Sequence, residues 1–599
     1  MATTSEPKGK LDAGPAVAAE AAVGLVNGPE DLPGSWQSVD WRRAEDEVRR
    51  LRQRIFSASQ AKDWKKVRNL QKLMLRSRAS ALVSVRRVTE INAGRATAGV
   101  DGKTVMLAPA KADMARWVQR CRSWAPWPVK RVYIPKANGK RRPLGIPVIA
   151  DRALQALVVN ALEPEWEARF EPKSYGFRPG RGCHDAIGAI FTVAKGPSPA
   201  RRWVLDADLA SAFDRIDHSF LIGQLGGFPA RGLIAGWLKA GMIENRQFAP
   251  TEEGTPQGGV VSPLLLNVAL HGMEQAAGVR YQTGKRPNLA RDSSPVLVRY
   301  ADDLVVFCHT RQEAEQAKAR LAQWLAPRGL AFNEGKTRIA TLDEGFDFLG
   351  YNVRRYGGKL LIKPSKQAMR RIRERLSTEM KALRGSSVAV VLQRLSPVIR
   401  GWAAYYRNVV SSKAFAALDL HMWRLTYKWA KYRHPNKSKR WVCSRYFGKF
   451  NPSRQDRWVF GDRDSGAYLT KLAWTKITRH QMVNWTASPD DPDLSAYWAQ
   501  RRRRRKPPLN QWGLIQLERQ HGRCPLCGEL LLHAGREPQS PAEWEQWIKV
   551  VQSAIRRQAV TADQRPAWPG GPAASRLLHT SCARKAARRA SAETPGSAP

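Results

Sequence analysis

Leu297-Val298-Arg299-Tyr300-Ala301-Asp302-Asp303-Leu304-Val305-Val306-Phe307 sets two apolar runs on either side of a pair of adjacent acids. Val, Tyr and Phe favour strands, so the stretch reads as a hairpin with both carboxylates at its turn. Asp is common in turns, and an Asp-Asp turn by itself carries no function. A second acidic cluster lies upstream, in Trp203-Val204-Leu205-Asp206-Ala207-Asp208-Leu209. At the two-residue period of a strand, Asp206 and Asp208 share one face while Trp203, Leu205 and Ala207 share the other. Acids inside an apolar strand are costly unless they are paired or bind a metal. Phosphoryl transfer supplies a use for both clusters. Two divalent ions roughly 3.5–4 Å apart activate the attacking oxygen and stabilise the leaving one. Hard Mg2+ takes carboxylate oxygens, with waters and substrate phosphates completing its shell.

The charge balance points the same way. The 599 residues carry 100 Lys+Arg against 52 Asp+Glu, a formal charge of +48. A chain this basic repels itself unless a polyanion neutralises it, which excludes most ordinary metabolic enzymes and makes nucleic acid the expected partner. Hydrophobic content of 43% is enough for real cores. Membrane is not an expected partner: the longest apolar stretch, Gly258–Leu270, is short and broken by Ser262, Pro263 and Asn267. Seven cysteines, an odd number in a long chain, make no disulfide framework, so a reducing cytoplasmic compartment is expected.

Composition divides the chain further. Residues 1–38, rich in Ala, Gly and Pro, are expected to be disordered. Residues 39–105 carry apolar positions at helical spacing (Val48, Leu51, Ile55, then Val67, Leu70, Leu73, Leu75) and end in the turn chemistry of Gly94–Gly102. Residues 106–362 alternate strand-like and helical pieces, an α+β or α/β pattern. Residues 363–445 open with a basic helix, Lys366–Arg384, apolar at Ile372, Leu376 and Leu383, and continue through Trp402, Tyr405, Tyr406, Trp423 and Trp429. Those aromatics are expected to pack helices rather than to stack on bases. Residues 446–509 are expected to be a basic DNA-binding segment; its closing run Arg501–Lys506, followed by two prolines, reads either as a phosphate-gripping stretch or as a linker. Residues 510–599 hold three of the cysteines.

The acidic hairpin has neighbours that identify a family. Tyr300-Ala301-Asp302-Asp303 matches the reverse transcriptase tetrad. Ile134-Pro135-Lys136 with Arg142-Pro143-Leu144-Gly145-Ile146-Pro147 and Asp151-Arg152 resembles the fingers block, and Tyr175-Gly176-Phe177-Arg178-Pro179-Gly180-Arg181 the next. Asp208-Leu209 with Phe213-Asp214-Arg215-Ile216-Asp217-His218 resembles the first catalytic block, and Gly254-Thr255-Pro256-Gln257-Gly258-Gly259 with Ser262-Pro263 the template-grip block. Gly329-Leu330 with Lys336-Thr337, then Phe348-Leu349-Gly350, resemble the last palm blocks. More specifically the chain is similar to the proteins encoded by bacterial group II introns, which join a reverse transcriptase to a maturase. Arg400-Gly401-Trp402-Ala403, Tyr405-Tyr406, Trp429-Ala430 and Arg433-His434-Pro435-Asn436-Lys437 resemble the maturase region. Trp41–Gly102, ending in Thr97-Ala98-Gly99-Val100-Asp101-Gly102, resembles the family's N-terminal block. The resemblance is good over residues 40–445 and looser elsewhere.

The resemblance implies a right-hand polymerase with an antiparallel palm sheet beside the fingers (106–362), an N-terminal extension of the fingers (39–105) and an α-helical thumb (363–445). It implies that Asp208, Asp302 and Asp303, with the Leu209 carbonyl, hold two Mg2+ ions, and that Asp206 is a bystander. Lys136 and Arg142, with Lys130, would neutralise the incoming triphosphate. The Phe213 ring would crowd the sugar 2′ carbon, the Gln257 amide would contact the template–nucleotide pair, and Lys336 would lie near the nucleotide or primer end. Each has a plainer reading: Phe213 as a core aromatic, Lys136 and Arg142 as solvated charges, Gln257 as a turn residue. Many relatives carry Lys where this chain has Ala210. Group II intron RNA, a DNA target with its primer, and deoxynucleotides are the implied partners, in target-primed reverse transcription during retrohoming. Two rival readings keep the same residues: a domesticated reverse transcriptase serving the host or phage defence, and a splicing-only maturase with an idle polymerase site.

In the tail, Cys524-Pro525-Leu526-Cys527 and His579-Thr580-Ser581-Cys582 are two ligand pairs with two-residue gaps, as a tetrahedral Zn2+ site requires. Relatives often carry an HNH endonuclease here. The Asp-His pair expected between the cysteine pairs is missing, and Ala583 stands where that family has His. A degenerate, zinc-bearing module is therefore expected rather than an active nuclease.

Overall fold

The computed structural model describes residues 36–121, 123–135, 141–196, 199–282 and 289–504, with short stretches at 524–526, 560–563 and 576–579 and residue 582. Of residues 1–38, expected to be disordered, those before 36 fall outside the described residues, while Trp36–Ser38 form a short 3-10 turn whose Trp36 ring is buried against Trp41.

The chain begins with helices α1 (Trp41–Gln60), α2 (Trp64–Arg76) and α3 (Arg78–Arg86). Asp40, Asp63 and Ser77 start them, each side chain accepting from a backbone N–H three residues on. Val48, Ile55, Val67 and Leu70 are buried as the periodicity predicts, but Leu73 is exposed and Met74 is buried in its place. A row three residues from Leu70 drifts round the helix, and Met74, four residues on, takes the inward place. Next come α4 (Ala108–Arg120), β1 (Val129–Pro135), β2 (Arg141–Ile146), α5 (Ile149–Glu167) and α6 (Cys183–Ala194). Helix α5 is apolar around most of its circumference and almost wholly buried, with α1, α2, α3 and α4 packed on it.

The central part continues through β3 (Trp203–Asp208), α7 (Ala212–Arg215), α8 (His218–Gln224), α9 (Arg231–Lys239), β4 (Met242–Glu244) and β5 (Gln247–Ala249). Helices α10 (Ser262–Ala269) and α11 (Met273–Ala276), strands β6 (Val296–Tyr300) and β7 (Asp303–Cys308), α12 (Arg311–Leu325) and β8 (Arg338–Thr341) follow. Two four-stranded sheets result, in orders β2-β1-β4-β5 and β6-β7-β3-β8. The second is antiparallel throughout and fully buried at Val298 and Val305–Phe307.

A three-stranded antiparallel sheet of β9 (Phe346–Phe348), β10 (Tyr351–Tyr356) and β11 (Lys359–Pro364) leads into α13 (Lys366–Ala382), α14 (Val388–Tyr406) and α15 (Ser412–Arg433). Helix α13 buries Ile372, Leu376 and Met380 and exposes its cations. Trp402, Tyr405 and Tyr406 are buried, and the two tyrosine hydroxyls donate to the carbonyls of Leu349 (2.9 Å) and Gly350 (3.1 Å). They fasten α14 to the sheet, the packing role that their helical setting predicts.

The basic segment follows with α16 (Lys439–Tyr446), the short pair β12 (Phe447–Gly448) and β13 (Val459–Phe460), and α17 (Ser495–Arg504). Between β13 and α17 the chain returns to the body of the protein as a strap. The buried Asp185 carboxylate accepts from His480 Nε2 (2.8 Å), the Val483 N–H (2.8 Å) and Arg501 Nη2 (3.1 Å). Against the upward push of burial, His480 and Arg501 hold that carboxyl down to about 2. Arg181 donates to the Trp485 and Ala487 carbonyls, and Arg52 pairs with both Asp490 and Glu163. Arg501, read from sequence as part of a phosphate grip or linker, is thus an internal tether.

Candidate active site

Strand β3 lies between β7 and β8, and its last residue, Asp208, stands directly opposite Asp303. Tyr300 pairs with Asp303 across the β6–β7 hairpin, which leaves Ala301 and Asp302 as its two-residue turn. Ala301 has φ +58° while Asp302 does not share the positive sign. A positive φ at the first central position is where hairpins prefer glycine, so the alanine is held there by its surroundings. A Cβ added at Gly176 would come within 2.3 Å of the Ala301 nitrogen, so the turn is seated on a position only glycine fits. The hairpin and the acidic strand, 95 positions apart, therefore present Asp208, Asp302 and Asp303 at one end of one sheet.

Burial, then the charges of Asp302 and Asp208, push Asp303 up to about 7. Burial and Asp208 raise Asp302 as well, partly offset by Arg142 and Lys336. The Lys336 ammonium rests on Asp208 Oδ2 at 2.5 Å, an arrangement that raises its own pKa. This is a site with more negative charge than it can hold unaided. Among the described residues no three His, Cys, Asp or Glu side chains converge into a closed cage. Mg2+ does not need one, since it is commonly held by one or two carboxylates with substrate phosphates and waters completing the shell. Crowded hard oxygens beside a lysine that already supplies a cation fit divalent ions of that kind.

Asp206, on the same strand face, pairs with Arg338 at 3.3 Å instead of joining the cluster, although burial lifts it to about 6. Leu209 bridges Phe332, with Asp208 C=O and Ala210 N–H making the flanking bonds. Strand alternation turns the carbonyl of Leu209 to the opposite edge, the side of the acidic turn. Phe213 is half-buried, and its ring meets Phe177 edge-on at 6.0 Å. Gln257 Nε2 donates to Asp214 Oδ2 (3.0 Å), and its carbonyl accepts from Gly145 N (2.6 Å), tying the template-grip loop to β2. Arg142, exposed on β2, is close enough to act on Asp302. Lys130 lies exposed near the start of β1, opposite Ile146. Lys136 lies outside the described residues.

Of the tail ligands, Cys524 is buried and Cys582 half-buried, and Val560 pairs with His579 across a short antiparallel ladder. Cys527 and the His579 side chain lie outside the described residues. No described helix is long and apolar enough to cross a membrane.

Two supports of the site escape sequence reading. Arg299 sits fully buried behind the turn, and Asp214 holds Gln257. A lone Arg in a strand reads as an outward-facing residue, and nothing local marks it otherwise.

Comparison with known proteins places this geometry. The profile for "Reverse transcriptase (RNA-dependent DNA polymerase)" matches residues 134–353, that for the N-terminal domain of reverse transcriptase residues 36–117, and that for the group II intron maturase-specific domain residues 369–447. Protein YkfC of Escherichia coli is 35% identical over 303 residues, covering 45% of this chain and 80% of that protein. The group II intron-encoded protein LtrA of Lactococcus lactis subsp. cremoris is 43% identical over 289 residues, covering 39% of this chain and 48% of LtrA, so the match spans about half the length of that relative. Among solved structures, the apo telomerase of Candida tropicalis aligns at 14% identity with a TM-score of 0.31, covering 41% of this chain and 56% of that one.

Proposed function

This chain belongs to the reverse transcriptases encoded by group II introns, and from that premise we propose that it copies RNA into DNA, binds its own intron RNA to assist splicing, and primes synthesis at a DNA target during retrohoming. The observation that carries the polymerase reading is the pairing of Asp208 with Asp303 beside the Ala301–Asp302 turn. Reverse transcriptases generally use Mg2+, and Asp208, Asp302, Asp303 and the Leu209 carbonyl would hold it here. When bound, a pair of such ions activates the primer 3′ oxygen and neutralises the departing phosphates.

The protein's own part is positioning. Arg142 and Lys136 would neutralise the triphosphate from the β1–β2 hairpin, with Lys130 further along the same strand pair. Lys336 would leave Asp208 once a metal takes its place and be free to face the nucleotide. The Gln257 amide, fixed by Asp214, would contact the template–nucleotide pair. In this reading β1 and β2 with α1–α4 are fingers, the β6-β7-β3-β8 sheet is the palm, and α13–α15 are the thumb. The exposed cations of α13 would meet intron RNA through its phosphates, with affinity falling steeply as salt rises.

Primer extension of oligo(dT) on poly(rA) with Mg2+ tests the enzyme. Incorporation by the wild type is expected, and its absence would leave only the RNA-binding maturase. The Phe213 ring makes a finer prediction. If it blocks a 2′-hydroxyl, Phe213→Ala should improve use of ribonucleotides relative to deoxynucleotides by about 10- to 100-fold in kcat/KM, the size of effect that pocket sterics give. An unchanged ratio would return Phe213 to the core against Phe177.

For residues 510–599 the ligand types and spacing support a structural Zn2+ on Cys524, Cys527, His579 and Cys582, in a module without nuclease activity. Buried Cys524, and Cys582 just beyond the 576–579 strand, fit a site of that kind. Metal analysis should find one zinc per chain, absent in Cys524→Ser. Zinc-free wild type would dispose of the site.

A further inference from the structure

Arg299 stands in β6 among Val296, Leu297, Val298 and Tyr300, with 0% of its surface exposed. A guanidinium in such a place is tolerated only where hydrogen bonds and opposing charges surround it. Nη1 donates to the Ala301 carbonyl (3.0 Å) and to Asn267 Oδ1 (2.9 Å), and Nη2 donates to Ser174 Oγ (2.6 Å). Its backbone is tied to the same neighbourhood, the N–H donating to the Lys173 carbonyl (3.0 Å) and the carbonyl accepting from Tyr175 N (2.9 Å). Behind it lie the half-buried Glu171 and the buried Glu274, and in front lies Asp302; their charges hold its proton against burial, which draws the group down to about 10. One planar head thus joins the segment around Ser174, helix α10 and the turn that carries Asp302. The residue it grips is the one with the unfavourable backbone, Ala301 at φ +58°.

We propose that Arg299 is a positioning residue for the polymerase reaction: by bonding the Ala301 carbonyl, the Asn267 amide and the Ser174 hydroxyl together, it fixes the left-handed turn that aims Asp302 and Asp303 at the end of β3. It touches neither substrate nor primer, and the inference rests on the polymerase reading above. Lysine at this position keeps the charge and loses the fork, because its ammonium cannot present a planar set of donors to three acceptors. A shift of the carboxylates by a fraction of an ångström is enough to slow a reaction that depends on alignment.

Arg299→Lys and Ser174→Ala separate this role from simple packing. Extension by one nucleotide at saturating dNTP and Mg2+ should fall about 10- to 100-fold in kcat for Arg299→Lys and less for Ser174→Ala. The KM for dNTP and the primer–template affinity should stay at wild-type values, and the melting temperature should fall by only a few degrees, since some of the buried acceptors lose their donor. Asn267→Ala added to Arg299→Lys should lower kcat little further, since both changes release the same turn. Wild-type kcat in Arg299→Lys overturns the proposal. So does a loss of kcat matched by equal losses of melting temperature and primer–template affinity, the pattern of a residue that only stabilises the fold. Lack of extension by the wild type itself overturns the polymerase reading and this proposal with it, a result distinct from a defect confined to the variants.

Discussion

Asp302→Ala will lower primer extension by at least about a thousandfold, while intron-RNA affinity and melting temperature stay at wild-type values. The effect is large because the side chain sits at the turn of β6 and β7, beside the Asp208–Asp303 pair, where no other described carboxylate can replace it. Stability should not suffer. Asp302 is held at some cost, since burial and Asp208 both disfavour its charged form, and deleting it relieves Asp303 as well. RNA affinity should not suffer either, because it comes from the excess of cations over the whole chain. Asp206→Asn is the matched control: the same strand and face, but paired with Arg338 away from the cluster, so extension should stay near wild type. Asp302→Ala extending at close to the wild-type rate would remove the metal role from this hairpin, as would an Asp206→Asn defect of the same size.

The chemistry was more legible in sequence than the scaffold that supports it. Alternation around Asp206 and Asp208 and the paired apolar runs about Asp302 have a period of two, and the structure has a strand and a hairpin at those places. Helix α13 was visible from Ile372 and Leu376 because amphipathic spacing is local. Leu73 shows the limit of local spacing: a step of three and a step of four look alike over two turns, and Met74 is the inward residue. Arg299, Gly176 and Asp214 were invisible for a different reason. Each matters through a residue distant in the chain, and neither periodicity nor composition carries that information. The positive φ of Ala301 had no signal at all, since alanine gives no hint of a left-handed turn.

The strap is the extreme case of a distant partnership, and it sets the second large effect. A chain ending at Lys476 should fail to fold stably, whereas one ending at Pro508 should fold and extend primers. A basic segment that only gripped DNA, as the composition of residues 446–509 suggests, would be dispensable for folding. In the structure His480 and Arg501 meet Asp185 on α6, Asp490 meets Arg52 on α1, and the Trp485 and Ala487 carbonyls receive Arg181. The strap also closes over apolar surface: a Cβ at Gly188 would lie 2.5 Å from Met482, and one at Gly180 2.5 Å from Trp498. Breaking one buried ion pair by removing a partner costs about 3–5 kcal/mol. Water entering the vacated surface recovers part of that, and Arg52 keeps Glu163, yet two buried charges, Asp185 and Arg52, lose partners together in a protein whose whole stability is on the order of 5–15 kcal/mol. Helix α6 packs directly behind β6, so the loosening reaches the hairpin that carries Asp302. The shorter chain should therefore melt lower by roughly 10 °C or more, or be recovered only as aggregate, and should not extend primers. Asp185→Ala in the full chain should reproduce a smaller version of the same loss without removing any cation. If the chain ending at Lys476 melts and polymerises like the longer one, the contacts of the strap are incidental and the segment is free to act as an arm.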